Sequence, residues 1–214
     1  MSDSETYTVF AVPGWGSVLA EAMLALCSAP LRIEDVTGFD QPGPARDRLL
    51  RVNPLGQVPT LLLPDGTVMT ESAAIALLLS ERHPQAGLTP ASGTAHRPAF
   101  LRRLVWITAN VYPTFTYGDY PERWAGADPE GLRAATDRYR ERLWREFESE
   151  LPAGPWALGD QLSALDVYIA AMTHWRPRRA WFAAQCPRLL AIAVRADEHP
   201  LLGPVLRRNF QPDA

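Results

Sequence analysis

The sequence predicts an α/β first domain joined to an all-α second domain, and three observations carry that prediction. Over the first 86 residues, short β-branched runs alternate with helical periodicities. Beyond residue 94 no convincing strand pattern recurs, and apolar residues repeat at the ~3.6-residue spacing of a helix. Between them lies His83-Pro84-Gln85-Ala86-Gly87-Leu88-Thr89-Pro90-Ala91-Ser92-Gly93-Thr94, a polar stretch rich in Pro and Gly that reads as a linker. The expected divisions are residues 1–83, a linker over 84–94, and 95–214.

Each element has its own signal. Tyr7 to Val12 is short, β-branched and aromatic, and Pro13-Gly14 ends it, which makes a strand. Ser17 to Ala25 begins a helix with Leu19, Met23 and Leu26 on one face. Leu31 to Val36 is strand-like again, with Ile33 and Val36 available for burial. A Pro- and Gly-rich turn from Phe39 to Pro44 leads into a short helix ending near Val52-Asn53-Pro54. Thr60 to Leu63 and Thr67 to Met69 flank Pro64-Asp65-Gly66, a turn signal between apolar runs and hence a hairpin. Glu71 to Arg82 closes the domain as a helix with Ile75, Leu78 and Leu79 inward. The order β-α-β-α-β-β-α implies a small mixed sheet covered by helices.

In the second part, Pro98 to Phe115 carries Leu101, Leu104, Val105, Thr108, Tyr112 and Phe115 at helical spacing. Pro113 inside that pattern predicts a kink or an early end. Pro129 to Leu151 repeats the period with Leu132, Tyr139, Leu143 and Phe147. A loop from Pro152 to Gln161 precedes helices over Ser163 to Trp175 and Pro187 to Ala196, then a short segment to Phe210.

Composition excludes several function classes. The 214 residues allow one large or two small domains, with a core that needs no staples. A net charge of −3 argues against a nucleic-acid binder, whose footprint is basic. No apolar run approaches the ~18 residues of a membrane span. Met1 to Thr6 is polar rather than signal-like, so the expectation is a soluble, cytoplasmic chain. Cys27 and Cys186 are too few and too far apart for a disulfide framework or a zinc site, and they read as small buried hydrophobes. The four histidines show no metal-ligand spacing, so no metal is expected. His83, His96 and His199 read as solvated positions at helix ends or loops, and His174 as a core or surface residue. All 21 basic residues are arginine, which fits an arginine-favouring codon usage. Any bound anion must then be held by arginine, backbone N–H groups, amides or hydroxyls. Charge is also uneven: 5 arginines face 10 acidic residues over 1–86, against 16 and 14 over 87–214.

The most specific stretch is Asn53-Pro54-Leu55-Gly56-Gln57-Val58-Pro59-Thr60-Leu61, followed by Asp65-Gly66 and Thr70-Glu71-Ser72. Pro59 opens a strand after a glycine-containing bend, a natural place for a cis peptide. Such a bond would turn the N–H and C=O of Val58 away from the sheet, where an extended peptide can pair with them like an added strand. Glu71-Ser72 opens a helix, whose free N–H groups and dipole attract an anion. The Ser72 hydroxyl adds a bond, and Glu71 can face an ammonium. Together the two sites suit a small zwitterionic peptide. Taken singly, each feature is equally a tight turn or an ordinary N-cap.

In this order and spacing, Gln57-Val58-Pro59 followed by Glu71-Ser72 resembles the glutathione-binding half of the cytosolic glutathione S-transferase superfamily. The resemblance covers essentially the whole chain and implies a thioredoxin-like first domain and an all-helical second one. It implies that Val58 pairs with the cysteinyl backbone of glutathione, beside Pro59. Glu71 and Ser72 would hold the γ-glutamyl amine and carboxylate, and Gln57 would lie alongside. Gly159-Asp160-Gln161-Leu162-Ser163-Ala164-Leu165-Asp166 is similar to the family's folding motif. There Ser163 is an N-cap, Asp166 returns a bond to the cap N–H, and Leu162 with Val167 staples the first turn. Leu165 stands where the family usually has Ala. Asp166 therefore reads as structural rather than catalytic.

Thiol activation falls to Val12-Pro13-Gly14-Trp15-Gly16-Ser17-Val18. A free thiol with a pKa of about 8.5 is only a few per cent ionised at neutral pH. A hydroxyl donor at a helix N-terminus is the right kind of stabiliser, and Ser17 occupies that place. Ser17 is either that donor or a simple cap. Related bacterial enzymes often have cysteine at the position of Gly16, so mixed-disulfide chemistry is not expected here. Tyr7 lies too early in its strand for the role. The acceptor site would be built from Trp15, Asn110, Tyr112, Phe115, Tyr117 and Tyr120, unless these are core and loop aromatics, the reading that Trp106 fits better. Tyr112 matches a position lining the electrophile site in related transferases. Asn110 replaces a carboxylate that often reaches the neighbouring subunit's glutathione. The lysine that many relatives aim at the glycyl carboxylate is missing, which leaves Gln57, Arg46, Arg51 or water.

The resemblance thus implies a homodimeric detoxification enzyme that takes glutathione as co-substrate and conjugates it to a small hydrophobic electrophile. A glutathione-dependent isomerase, lyase or dehalogenase uses the same fold, as do non-catalytic interaction modules.

Overall fold

Tyr7-Thr8-Val9-Phe10-Ala11 forms β1 (Tyr7–Ala11), and all five side chains are buried in the computed structural model, which describes residues 5–210. A strand covered on both faces belongs inside its sheet. The sheet order is β2-β1-β3-β4. Strand β2 (Leu31–Asp35) runs parallel to β1, β3 (Thr60–Leu62) antiparallel to it, and β4 (Val68–Met69) antiparallel to β3. With α1 (Ser17–Leu26), α2 (Pro44–Leu50) and α3 (Ser72–Arg82), the expected β-α-β-α-β-β-α order is observed, the arrangement of a thioredoxin-like domain. The expectation for Ile33 fails: β2 is an edge strand, and Ile33 is 41% exposed while Val36 is fully buried. Helix α1 is buried almost all round, including Glu21, and packs against β1 and α3. Its apolar residues extend well beyond one stripe.

The chain divides into two compact units, Met1–Thr89 with Arg195–Ala214, and Pro90–Val194. The second holds α4 (Arg97–Trp106), a π-helical turn (Ile107–Val111), α5 (Tyr112–Asp119), α6 (Pro129–Ser149), α7 (Ala164–Met172), α8 (Arg179–Gln185) and the greater part of α9 (Pro187–Glu198). Pro113 does not end the helical run. It sits in the first turn of α5, where a missing N–H is tolerated. The preceding turn widens so that the Tyr112 N–H reaches back five residues to the Ile107 C=O. Helix α8 had no sequence signal of its own. In α6 the inward positions are Arg140, Leu143, Trp144 and Phe147, and Tyr139 is exposed, contrary to the apolar periodicity. The Arg140 guanidinium lies 4.4 Å from the centre of the Phe115 ring, so an arginine fills a place expected of a tyrosine.

Helix α7 is buried along its whole length, and its capping box is formed. Asp166 accepts the Ser163 N–H at 2.8 Å, the Ser163 hydroxyl at 3.1 Å and the Ala157 N–H at 2.7 Å. Burial nonetheless pushes its carboxyl up to about 6. Arg103, also buried, donates to the Ala157 C=O at 2.5 Å and to the Glu150 C=O, fixing the loop before α7.

The C-terminal segment departs from the expected second domain. Its helix α10 (Leu202–Phe210) instead packs on α1, because Arg208 and Asn209 reach the buried carboxylate of Glu21.

Candidate functional site

Sheet register places the three expected site segments at one end of the first unit. Leu62 opposite Val68 and Leu61 opposite Met69 continue to Pro59 beside Glu71. Phe10 opposite Thr60 continues to Val12 beside Val58. The ends of β1, β3 and β4 therefore line up across two strand spacings, roughly 10 Å. That is about the length of an extended tripeptide.

The Val58–Pro59 peptide is cis. Among the described residues, no hydrogen bond takes up the N–H or C=O of Val58. The Val58 side chain packs against a core of Phe10, Val12, Val36, Phe39 and Leu49. The loop before it is braced by a residue of the same stretch to which its sequence assigns no role. Asn53, buried, donates to the Gln57 C=O at 3.0 Å and the Thr60 hydroxyl at 2.9 Å, and accepts the Leu55 N–H at 3.1 Å. Gly56 turns the chain at φ +58°, with Leu50 only 3.2 Å from where a Cβ would sit. The Gln57 side chain is exposed. Of the two arginines offered for a glycyl carboxylate, Arg46 lies at this loop and gives one N–H to the Phe39 C=O at 3.2 Å, while Arg51 is exposed.

Glu71 adopts φ +61° and ψ +103°, a conformation costing roughly 1–3 kcal/mol for a non-glycine residue. It precedes α3 without capping it, and among the described residues no cation pairs with its carboxylate. Ser72 follows as the first helical residue and is buried. The strained backbone thus brings a carboxylate and a helix N-terminus to one point. A zwitterion's ammonium and carboxylate need that pair.

Ser17 begins α1 as expected, but it is fully buried and its hydroxyl is engaged. Its Oγ accepts the Val12 N–H at 3.1 Å, and its O–H donates to the Val12 C=O at 3.1 Å. The hydroxyl closes the loop from Val12 to Ser17 rather than capping the helix. Among the described residues, no hydrogen bond takes up the N–H of Gly16 or Ser17. Trp15 packs edge-on against Phe39 at 5.1 Å within the core cluster. Tyr7 is bound at the far end of β1 to His83, at 3.1 Å, so His83 is not simply solvated.

In the second unit, Tyr112 and Phe115 gather with Trp175, which the sequence reading omitted, at ring separations of 5.9 and 5.2 Å. Beneath them Arg140 is 1% exposed, and burial lowers its pKa. Asp137 pairs with its Nη2, while among the described residues Nε and Nη1 have no hydrogen-bond partner. Tyr117 is exposed and pairs instead with Trp124 at 4.9 Å. Asn110 donates to the Trp106 C=O, four residues back at the widened turn, at 3.1 Å. Both cysteines are buried, and burial pushes Cys27 to about 11 and Cys186 to about 12, as befits inert core thiols. Among the described residues no group of three or more His, Cys, Asp and Glu gathers to hold a metal, and no helix is long and apolar enough to cross a membrane.

Comparison with known proteins sets the chain beside glutathione S-transferases. The glutathione S-transferase N-terminal domain family matches residues 20–82. An uncharacterised GST-like protein, YncG of Escherichia coli K12, is 47% identical over 201 residues, covering 94% of this chain and 97% of that one. A sphingomonad glutathione S-transferase solved in complex with glutathione is 27% identical with a TM-score of 0.76, over 94% of this chain and 98% of that one. A maleylacetoacetate isomerase of Pseudomonas aeruginosa is 26% identical over 166 residues, covering 77% of each chain.

Proposed function

The chain belongs to the cytosolic glutathione S-transferase superfamily, and on that premise we propose that it is a cytoplasmic, homodimeric enzyme that joins the thiolate of glutathione to small hydrophobic electrophiles. One observation carries the reading: the unpaired backbone of Val58, the carboxylate that Glu71 presents from a strained backbone and the bare N–H groups of Gly16 and Ser17 share one end of a sheet. In this reading an extended tripeptide lies across the strand ends, and its cysteinyl backbone pairs with Val58 beside Pro59. Glu71 takes the γ-glutamyl ammonium and Ser72 the carboxylate, while Gln57 and Arg46 take the glycyl end.

The thiolate then lies at the start of α1. Holding it ~2 pH units below a free thiol requires ~2.7 kcal/mol. Two charge-assisted N–H donors at about 1.5–3 kcal/mol each supply that without the Ser17 hydroxyl. We therefore assign activation to the Gly16 and Ser17 N–H groups, with the Ser17 side chain as the strut that holds them. Catalysis is anion stabilisation plus proximity to the acceptor carbon. The aromatic faces of Tyr112, Phe115 and Trp175 suit a flat, apolar acceptor. Elution from immobilised glutathione followed by turnover of a chromogenic electrophile tests the reading. Failure to bind at millimolar glutathione would point to a non-catalytic module.

A second reading, a glutathione-dependent isomerase, draws on the similarity to maleylacetoacetate isomerase. It predicts that glutathione is regenerated rather than consumed, which a thiol count after turnover distinguishes.

A further inference from the structure

The loop that opens α1 is gripped by a side chain 195 residues away. The Gly14 N–H donates to Asn209 Oδ1 at 3.2 Å, and Gly14 sits at φ +79° with the Asn209 C=O 3.5 Å from where a Cβ would be. The Asn209 amide also donates to the Val205 C=O of its own helix at 3.0 Å and to Glu21 at 3.3 Å. These partners force its orientation. The oxygen must face the N–H of Gly14, and the NH2 must face a carbonyl and a carboxylate. One buried side chain thereby ties the tip of the loop to the body of the helix it precedes. The Gly16 and Ser17 N–H groups lie between those two tethers.

We infer that Asn209 is a positioning residue for thiol activation, setting the direction of the Gly16 and Ser17 N–H groups by holding Gly14 against α1. This rests on the proposed reading that those groups stabilise the glutathione thiolate. Asn209 itself touches no substrate. Arg208, one residue earlier, offers the control, because it binds Glu21 from the same helix.

The experiment uses the full chain saturated with glutathione and follows the ultraviolet absorbance of the bound thiolate against pH, with kcat, KM and melting temperature measured beside it. Asn209→Ala is expected to raise the thiol midpoint by about one pH unit. It should lower kcat about tenfold while KM for glutathione stays within about twofold. Arg208→Gln is expected to lower the melting temperature and leave the midpoint in place. If Asn209→Ala does not fold, Asn209→Ser decides: its hydroxyl keeps a polar group in the buried site but is too short to hold Gly14, and it should raise the midpoint in the same direction. A midpoint unmoved in the Asn209 variant that folds, or moved equally in Arg208→Gln, overturns the inference. Absence of any bound thiolate in the wild-type chain overturns the proposed function, and this inference with it.

Discussion

Replacing Ser17 by alanine separates two roles that sequence could not distinguish. The substitution removes one hydroxyl, fully buried, with two bonds to Val12. The Val12 C=O keeps a second donor, the Trp15 N–H at 3.1 Å, so its loss is small. The Val12 N–H keeps none, and a buried unsatisfied donor costs about 1–3 kcal/mol. A loss near 2 kcal/mol lowers the melting temperature of a chain this size by roughly 4–8 °C. Meanwhile the bound thiol midpoint stays within about half a pH unit of wild type, because the Gly16 and Ser17 N–H groups remain. Denaturant unfolding and thiolate titration read the two quantities independently. An unchanged stability with a midpoint raised by about two pH units would refute this reasoning and make the hydroxyl the thiol donor.

Glu71→Gly should weaken glutathione binding at least about tenfold while raising stability by about 1 kcal/mol, since glycine accepts the strained backbone that glutamate does not. Calorimetry and thermal melting check both signs, and Glu71→Gln should show the affinity loss without the gain. Asn53→Ala should cost about 2 kcal/mol and raise KM for glutathione more than it lowers kcat, because it loosens the loop that presents Val58. Asp166 predicts a pH dependence of stability. Its carboxyl lies near 6 in the fold against the ordinary 3.8, so the native state keeps a proton that the unfolded chain releases. The contribution is fully present below about pH 4 and is lost as pH rises through about 6, a change of up to ~3 kcal/mol. Unfolding curves of Asp166→Asn should lack that slope, and a parallel slope in both proteins would contradict it.

The first-domain element order was legible because its elements carry local signals, such as the buried run Tyr7–Ala11 and the Pro64-Asp65-Gly66 turn, and in the second unit the box from Ser163 to Asp166 announces α7 in the same way. The bend at Gln57-Val58-Pro59 and the helix start at Glu71-Ser72, where we propose binding, were legible for the same reason, since each is a short contiguous signal. What escaped was non-local or polar. Asn53 and Asn209 work through buried hydrogen bonds, and nothing near Asn209 in sequence announces a partner as remote as Gly14. Arg140 rather than Tyr139 faces inward because its guanidinium stacks on Phe115 and pairs with Asp137, contacts that offset part of its desolvation and that an apolar periodicity cannot register. Ile33 alternates correctly for a strand, but the edge position of β2 leaves it uncovered. Trp175 joined Tyr112 and Phe115 from a turn that sequence spacing does not connect to them.

If this end of the sheet binds glutathione and holds it as a thiolate through backbone N–H groups, titrating the wild-type chain with glutathione while recording thiolate absorbance from acid to alkaline pH will show saturable binding and a thiol midpoint about two pH units below the ~8.5 of the free thiol. Binding without any lowering of that midpoint, or no saturable binding at millimolar glutathione, would contradict that mode of binding.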